Sequence, residues 1–200
     1  TACRQPPARS SPRRRTGTLP RGTPVSEALQ GIGNLVCDLD GVVYLAETAI
    51  PGAGEALGKL EARGYRVIFA TNAPIRTAAE VAGHITRLTG YPAHAAQVIT
   101  AGMAAAGMLG PEDGPVLVVG EGGLAPTLEA AGLSVTRDPA GARTVVVGLD
   151  RQLTYAHLRA ATQAVLAGAR LLACNDDPTY PTETGLWPGG GAIAAAIETA

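Results

Sequence analysis

From residue 34 onward, short runs rich in Val, Ile and Leu alternate with Ala- and Leu-rich stretches of helical character. That order restricts the chain to βα units around a mainly parallel sheet, an α/β fold. Candidate strands fall at 35–38, 66–70, 116–119, 144–149 and 170–174. Candidate helices fall at 54–63, 77–88, 101–109, 124–131, 154–167 and 192–199, several opened by Thr or closed by Gly.

Two turn-rich breaks divide this series: Gly110-Pro111-Glu112-Asp113-Gly114-Pro115, and Pro188-Gly189-Gly190-Gly191. A smaller domain is expected between them, starting slightly before the first. The expected organisation is a core over 31–99, an inserted α/β domain over 100–187 and the start of a return to the core at 188–200. The Gly189–Gly191 run lacks the strand that a dinucleotide fingerprint requires and reads as the turn between the two domains.

Residues 1–30 hold six arginines against one glutamate, leaving ten basic and sixteen acidic residues in the remainder. This stretch mixes Arg, Pro, Ser and Thr without apolar periodicity, so it reads as a disordered basic tail. It lacks the apolar centre of a secretory signal and only loosely resembles a transit peptide. Arg13, Arg14 and Arg15 read as solvated charges rather than nucleic-acid contacts.

A 46% hydrophobic content over 200 residues suits a soluble globular protein. No apolar run approaches the ~20 residues of a membrane span. Cys3, Cys37 and Cys174 are widely spaced and without metal-ligand spacing, which fits reduced thiols in a cytoplasmic protein.

The chemistry-bearing stretch is Asn34-Leu35-Val36-Cys37-Asp38-Leu39-Asp40-Gly41. Positions i and i+2 of a strand share a face, so Asp38 and Asp40 are both presented at a strand's carboxyl end, where open α/β sheets bind ligands. Two carboxylates so close imply a cation or a proton-transfer role. The next apolar strand runs into Thr71-Asn72-Ala73-Pro74, where a hydroxyl and backbone amides can hold a phosphate oxygen opposite the carboxylates. Together these residues suggest phosphoryl transfer.

At these positions the chain resembles the haloacid dehalogenase-like (HAD) phosphatases, whose first motif is Asp-x-Asp-Gly and whose second is a Ser or Thr ending the next strand. It is most similar to the NagD-like branch, subfamily IIA, which includes 4-nitrophenylphosphatase, nucleotide monophosphatase, phosphoglycolate phosphatase and pyridoxal phosphate phosphatase. The likeness is carried by Asp38 to Val42, Thr71-Asn72 with Arg76, Gly148-Leu149-Asp150 with Tyr155, Asn175 with Asp177, and Pro188 to Gly191. Only 31 residues separate Asp40 from Thr71, too few for an inserted domain, so any cap must follow Thr71.

The resemblance implies a Rossmann-like HAD core, incomplete at its C-terminal end, with an α/β cap after the second motif. It implies a phosphomonoester hydrolase in which Asp38 is the nucleophile, forming an aspartyl-phosphate, and Asp40 the general acid and base. Thr71 and the Asn72 amide would orient the phosphoryl oxygens, and the Asp38 side chain and Asp40 backbone carbonyl would hold Mg²⁺. Asn175 and Asp177 are candidate substrate-facing cap residues, with a simple turn as the alternative. The expected partner is a small phosphorylated metabolite, with no nucleic acid or membrane. Cap surfaces often dimerise in related proteins, so a homodimer through the cap is an open alternative.

Two family elements are missing: a lysine in a Gly-Lys-Pro context and a last acidic motif. The single lysine, Lys59, lies in the helix after the first motif, and beyond Glu183 the only acid is Glu198. Truncation is the simplest reading, with weak Mg²⁺ binding, little turnover and poor solubility expected of the 200 residues alone. A non-catalytic phosphate-ester binding protein is the alternative, and transfer to an acceptor other than water a third reading. Asp150 reads as a turn or cap residue, and His84, His94 and His157 as surface or core-edge residues.

Overall fold

A computed structural model describes residues 31–182 and 184–200; the basic tail expected over 1–30 lies outside the described residues. The alternation of strands and helices becomes two separate parallel sheets within the compact unit Gly33–Ala200. No helix among the described residues is long and apolar enough to cross a membrane.

The first sheet has strand order β1 (Asn34–Asp38), β4 (Arg66–Thr71), β5 (Val98–Thr100). Between β1 and β4 lie a small hairpin, β2 (Tyr44–Leu45) with β3 (Thr48–Ala49), and helix α1 (Ala53–Ala62); α2 (Ala78–Thr89) links β4 to β5. Alternation decides the faces. Val67, Phe69 and Val98 point to one side, where they bury against Leu57 of α1 and Val81 and Ile85 of α2. Val36 and Ile99 point to the other and remain 72% and 48% exposed.

Helix α2 starts where it does because Thr77 and Glu80 form a capping box: Thr77 Oγ1 accepts from the Glu80 amide at 3.3 Å, and the Thr77 amide donates to Glu80 Oε2 at 2.8 Å. Gly90, in the left-handed region at φ 73°, closes it.

The second sheet has the order β7 (Val135–Thr136), β6 (Val116–Val119), β8 (Thr144–Val147), β9 (Arg170–Ala173). Its central strands read Val-Leu-Val-Val and Thr-Val-Val-Val because both faces are covered. On one side, Val116 and Val146 meet α3 (Ala101–Ala106) and α4 (Leu124–Ala130), which contribute Ala105, Leu124 and Leu128. On the other, Val119, Val145 and Val147 meet α5 (Tyr155–Leu166) and α6 (Gly190–Glu198), which contribute Ala161, Ile193 and Ile197. An antiparallel hairpin, β10 (Thr179–Thr182) with β11 (Gly185–Pro188), leads into α6.

Two expectations are corrected. Residues 188–200 do not begin a return to the first sheet: Ile193, Ala194 and Ile197 of α6 pack in the core of the second. The Gly189–Gly191 run is not the expected turn between two domains either, since Gly190 and Gly191 lie in the first turn of α6. A Cβ at Gly189 or Gly191 would run into the backbone of Asp176 and Asp177, so glycine is what lets that loop lie against the helix start. The Gly189 amide donates to Pro178 O at 2.9 Å and the Gly191 amide to Asp177 O at 3.0 Å.

Candidate functional site

The chain leaves β1 through a tight wrap around one buried residue. Leu39 is fully buried, so its neighbours Asp38 and Asp40 are turned the other way, toward solvent. The Leu39 amide donates to Asp38 Oδ1 at 2.8 Å, while Leu39 O accepts from the amides of Val42, Val43 and Tyr44 at 3.2, 2.9 and 3.2 Å. Gly41 sits at φ 78°, which this reversal requires. The Asp40 carboxyl is raised above its ordinary value, chiefly by desolvation and then by the Asp38 charge, with Arg76 and His84 opposing. The Asp38 charge therefore reaches Asp40.

Parallel pairing sets Asp38 opposite Ala70, so Thr71 and Asn72 follow at the same end of the sheet. Thr71 is buried, pairs in register with Thr100 of β5, and its Oγ1 accepts from the Ala73 amide at 3.1 Å. A wide-open cavity of about 630 Å³ has Asp38, Thr71, Asn72 and Cys174 among its lining residues, together with Val36 and Ile99 of the exposed face. Asp40 stands beside it rather than in its wall.

Behind Asp40 lies a polar cluster. Glu47, at the β2–β3 turn, holds Arg76 at 3.5 Å and Arg87 at 2.9 Å, and its carboxyl is lowered first by the hydrogen bond from Arg87. His84 is buried edge-on against Tyr44, with ring centroids 4.8 Å apart. Its Nδ1 is 2.7 Å from the Arg87 guanidinium, which only donates, so Nδ1 accepts and Nε2 carries the hydrogen toward Ala46 O at 3.3 Å. Desolvation lowers its pKa, in keeping with that neutral form.

The second sheet closes on the segment after Thr71. Asn72 Nδ2 donates to Asp177 Oδ2 at 2.5 Å, and Asn175 Nδ2 donates to Asn72 O at 3.0 Å. The Gly123 amide donates to Ile75 O at 2.8 Å, and Pro74 packs against Gly148 closely enough that a Cβ there would lie 2.8 Å from its Cγ. At Gly122 (φ 59°) and Gly123 a Cβ would strike the backbone of Ile75 to Thr77. Loops following β6, β8 and β9 thus converge on residues 72–77.

The structure brings Asp38, Thr71, Asn72, Asn175 and Asp177 together at one end of the first sheet, with Asp40 adjoining. Cys174 is a wall residue that the spacing of cysteines does not signal; its place directly after a strand and before Asn175 does. Burial pushes its thiol up to about 11, and desolvation followed by Asp38 raises that of Cys37, so neither is a ready nucleophile near neutral pH. Asp150 is a turn residue, its Oδ1 accepting from the Gln152 amide at 2.9 Å. Among the described residues no three His, Cys, Asp or Glu side chains gather as a metal cluster.

Residues 35–134 match the family model described as haloacid dehalogenase-like hydrolase. The chain is 39% identical over 170 residues to a D-glycerol 3-phosphate phosphatase of Mycobacterium tuberculosis, covering 83% of this chain and 47% of that protein. Among solved structures it is similar to a double mutant of a thermostable NPPase from Geobacillus stearothermophilus, at TM-score 0.76 and 35% identity over 84% of this chain and 66% of that one. It is also similar to a magnesium complex of glycerol phosphate phosphatase from M. tuberculosis, at TM-score 0.74 and 38% identity over 83% and 50% of the two chains. The chain therefore spans about half to two thirds of the length of these relatives.

Proposed function

Because the chain belongs to the haloacid dehalogenase-like hydrolases, in the NagD-like and 4-nitrophenylphosphatase-type group, we propose that the whole protein hydrolyses a phosphomonoester of a small metabolite. The observation that carries this reading is the meeting of Asp38, Thr71 and Asn72 on one cavity at the carboxyl ends of β1 and β4, with Asp40 two residues along. Its relatives' names, glycerol phosphate phosphatase among them, support the substrate class.

In this reading the Asp38 carboxylate attacks phosphorus and the ester oxygen leaves with a proton from Asp40. The resulting aspartyl-phosphate is then cleaved by a water whose proton returns to Asp40. The raised Asp40 pKa suits a group that must hold a proton before donating it. Thr71 Oγ1 and the Asn72 amide orient the phosphoryl oxygens, since phosphoryl transfer depends mainly on positioning and electrostatics. Residues 31–99, with β1 and β4, serve as the catalytic core, and the second sheet with its helices serves as the cap.

The donors present fit a hard divalent cation in part. Desolvation and then the Asp38 charge raise Asp40, a penalty that a positive charge would relieve, and the Asp38 side chain with the Asp40 carbonyl oxygen would hold Mg²⁺. When bound, it neutralises charge between nucleophile and phosphate. A magnesium complex of a similar phosphatase supports that choice of ion.

The test is turnover of p-nitrophenyl phosphate by the protein carrying this chain. Asp38→Asn is expected to lower kcat on the order of 10⁴-fold; turnover unaltered by that change would overturn the reading.

A further inference from the structure

Asn72 is held from a strand end more than a hundred residues away. Asp177 takes its side-chain amide and Asn175 takes its backbone carbonyl, so both the rotamer and the peptide plane are fixed from the second sheet. The second bond leaves a mark. By committing its NH₂ to Asn72 O, Asn175 turns its Oδ1 toward Gly190, where it is buried with no hydrogen-bond partner, alone in this among the described side chains. Buried acceptors are ordinarily satisfied, so an orphan beside a site calls for a reason. Flipping the amide would set its oxygen against Asn72 O, so the bond to Asn72 is made at the expense of Oδ1.

The support behind these two residues is built from backbone. Gly189 and Gly191 admit the 176–178 loop against the start of α6, and their amides hold Asp177 O and Pro178 O. Neither Asn175 nor Asp177 lines the cavity that Asp38 and Thr71 share, whereas Asn72 does. They act on it through Asn72.

We propose that Asn175 and Asp177 are positioning residues of the phosphoryl site, fixing the Asn72 peptide and side chain so that the Thr71–Asn72 corner keeps its aim at the group on Asp38. This rests on the phosphatase reading and gives the second sheet a task at the phosphoryl site itself.

The experiment compares Asp177→Ala, Asn175→Ala and Asp177→Asn in the protein carrying this chain, with Asp38→Asn as the control. For p-nitrophenyl phosphate, Asp177→Ala is expected to lower kcat about tenfold or more while KM moves much less, because misplacement of a held group acts on the reacting geometry. Asp177→Asn, which keeps an oxygen acceptor, is expected to recover most of kcat. Amide hydrogen exchange across 72–77 is expected to quicken in both alanine variants. A lower Tm with kcat and exchange unchanged overturns the proposal and leaves the phosphatase reading standing. Turnover that survives Asp38→Asn overturns that reading, and exchange at Asn72 and Ala73 then decides alone whether the clamp exists. Should Asp177→Ala fail to fold, Asn175→Ala reads the second bond with the same two outcomes.

Discussion

The two sheets contain similar strands in unlike surroundings. In the second, Val116, Val145, Val146 and Val147 are all almost fully buried because helices lie on both faces. In the first, Phe69 and Val67 are equally buried, yet Val36 and Ile99 stand exposed on the face opposite α1 and α2. The candidate chemistry is on the half-covered sheet. In both sheets the polar groups sit at or just past the strands' carboxyl ends: Asp38, Thr71 and Asn72 in the first, Asn175 and Asp177 in the second.

The contrast is open to measurement. Leu128→Ala, in the covered core of the second sheet, is expected to cost about 2–5 kcal/mol in urea unfolding. Gly123→Ala forces a Cβ into the backbone of Arg76 and Thr77 and is expected to cost about 1–3 kcal/mol. A cost clearly larger than that of Leu128→Ala would mean that the junction, not the second core, limits stability. Val36→Ser on the open face is expected to change stability by no more than about 0.5 kcal/mol while raising the concentration at which the chain stays monodisperse in light scattering. A loss like that at Leu128 would show that the face is covered in solution.

The smallest effect concerns pH. Folding raises the Asp40 pKa, so the folded chain binds that proton more tightly than the unfolded one. Stability from this group is complete below the ordinary carboxylate range and falls as pH rises through the folded value. Asp40→Asn is thus expected to raise Tm near pH 7 and to leave it unchanged at about pH 3. An equal gain at both would rule out ionisation as the cause.

The long elements were legible in the chain: strand 116–119 is found at the same residues, and strands 35–38, 66–70 and 170–174 differ by one at an end. Strand 144–149 stops at Val147, before Gly148, which packs against Pro74, and helix 101–109 stops at Ala106, before Gly107. The short strands were not legible. β2, β3 and β7 have two residues each, β5 has three, and the β10–β11 hairpin carries Pro181 and Gly185, whose composition reads as loop.

At the site, Asp38, Asp40, Thr71 and Asn72 could be found because strand periodicity puts them at neighbouring ends. The bonds from Asn175 and Asp177 to Asn72 could not, since they join residues 103 and 105 apart through loops whose course no local pattern encodes. The same holds for Gly122 and Gly123, which look like an ordinary flexible stretch until Ile75 is seen against them.

Where Gly122 and Gly123 touch Ile75 to Thr77, main chain meets main chain with no side group between. A joint of that kind has a fixed gauge. Any side chain at 122 or 123 would act as a wedge there, pushing the loop of the second sheet off residues 75–77.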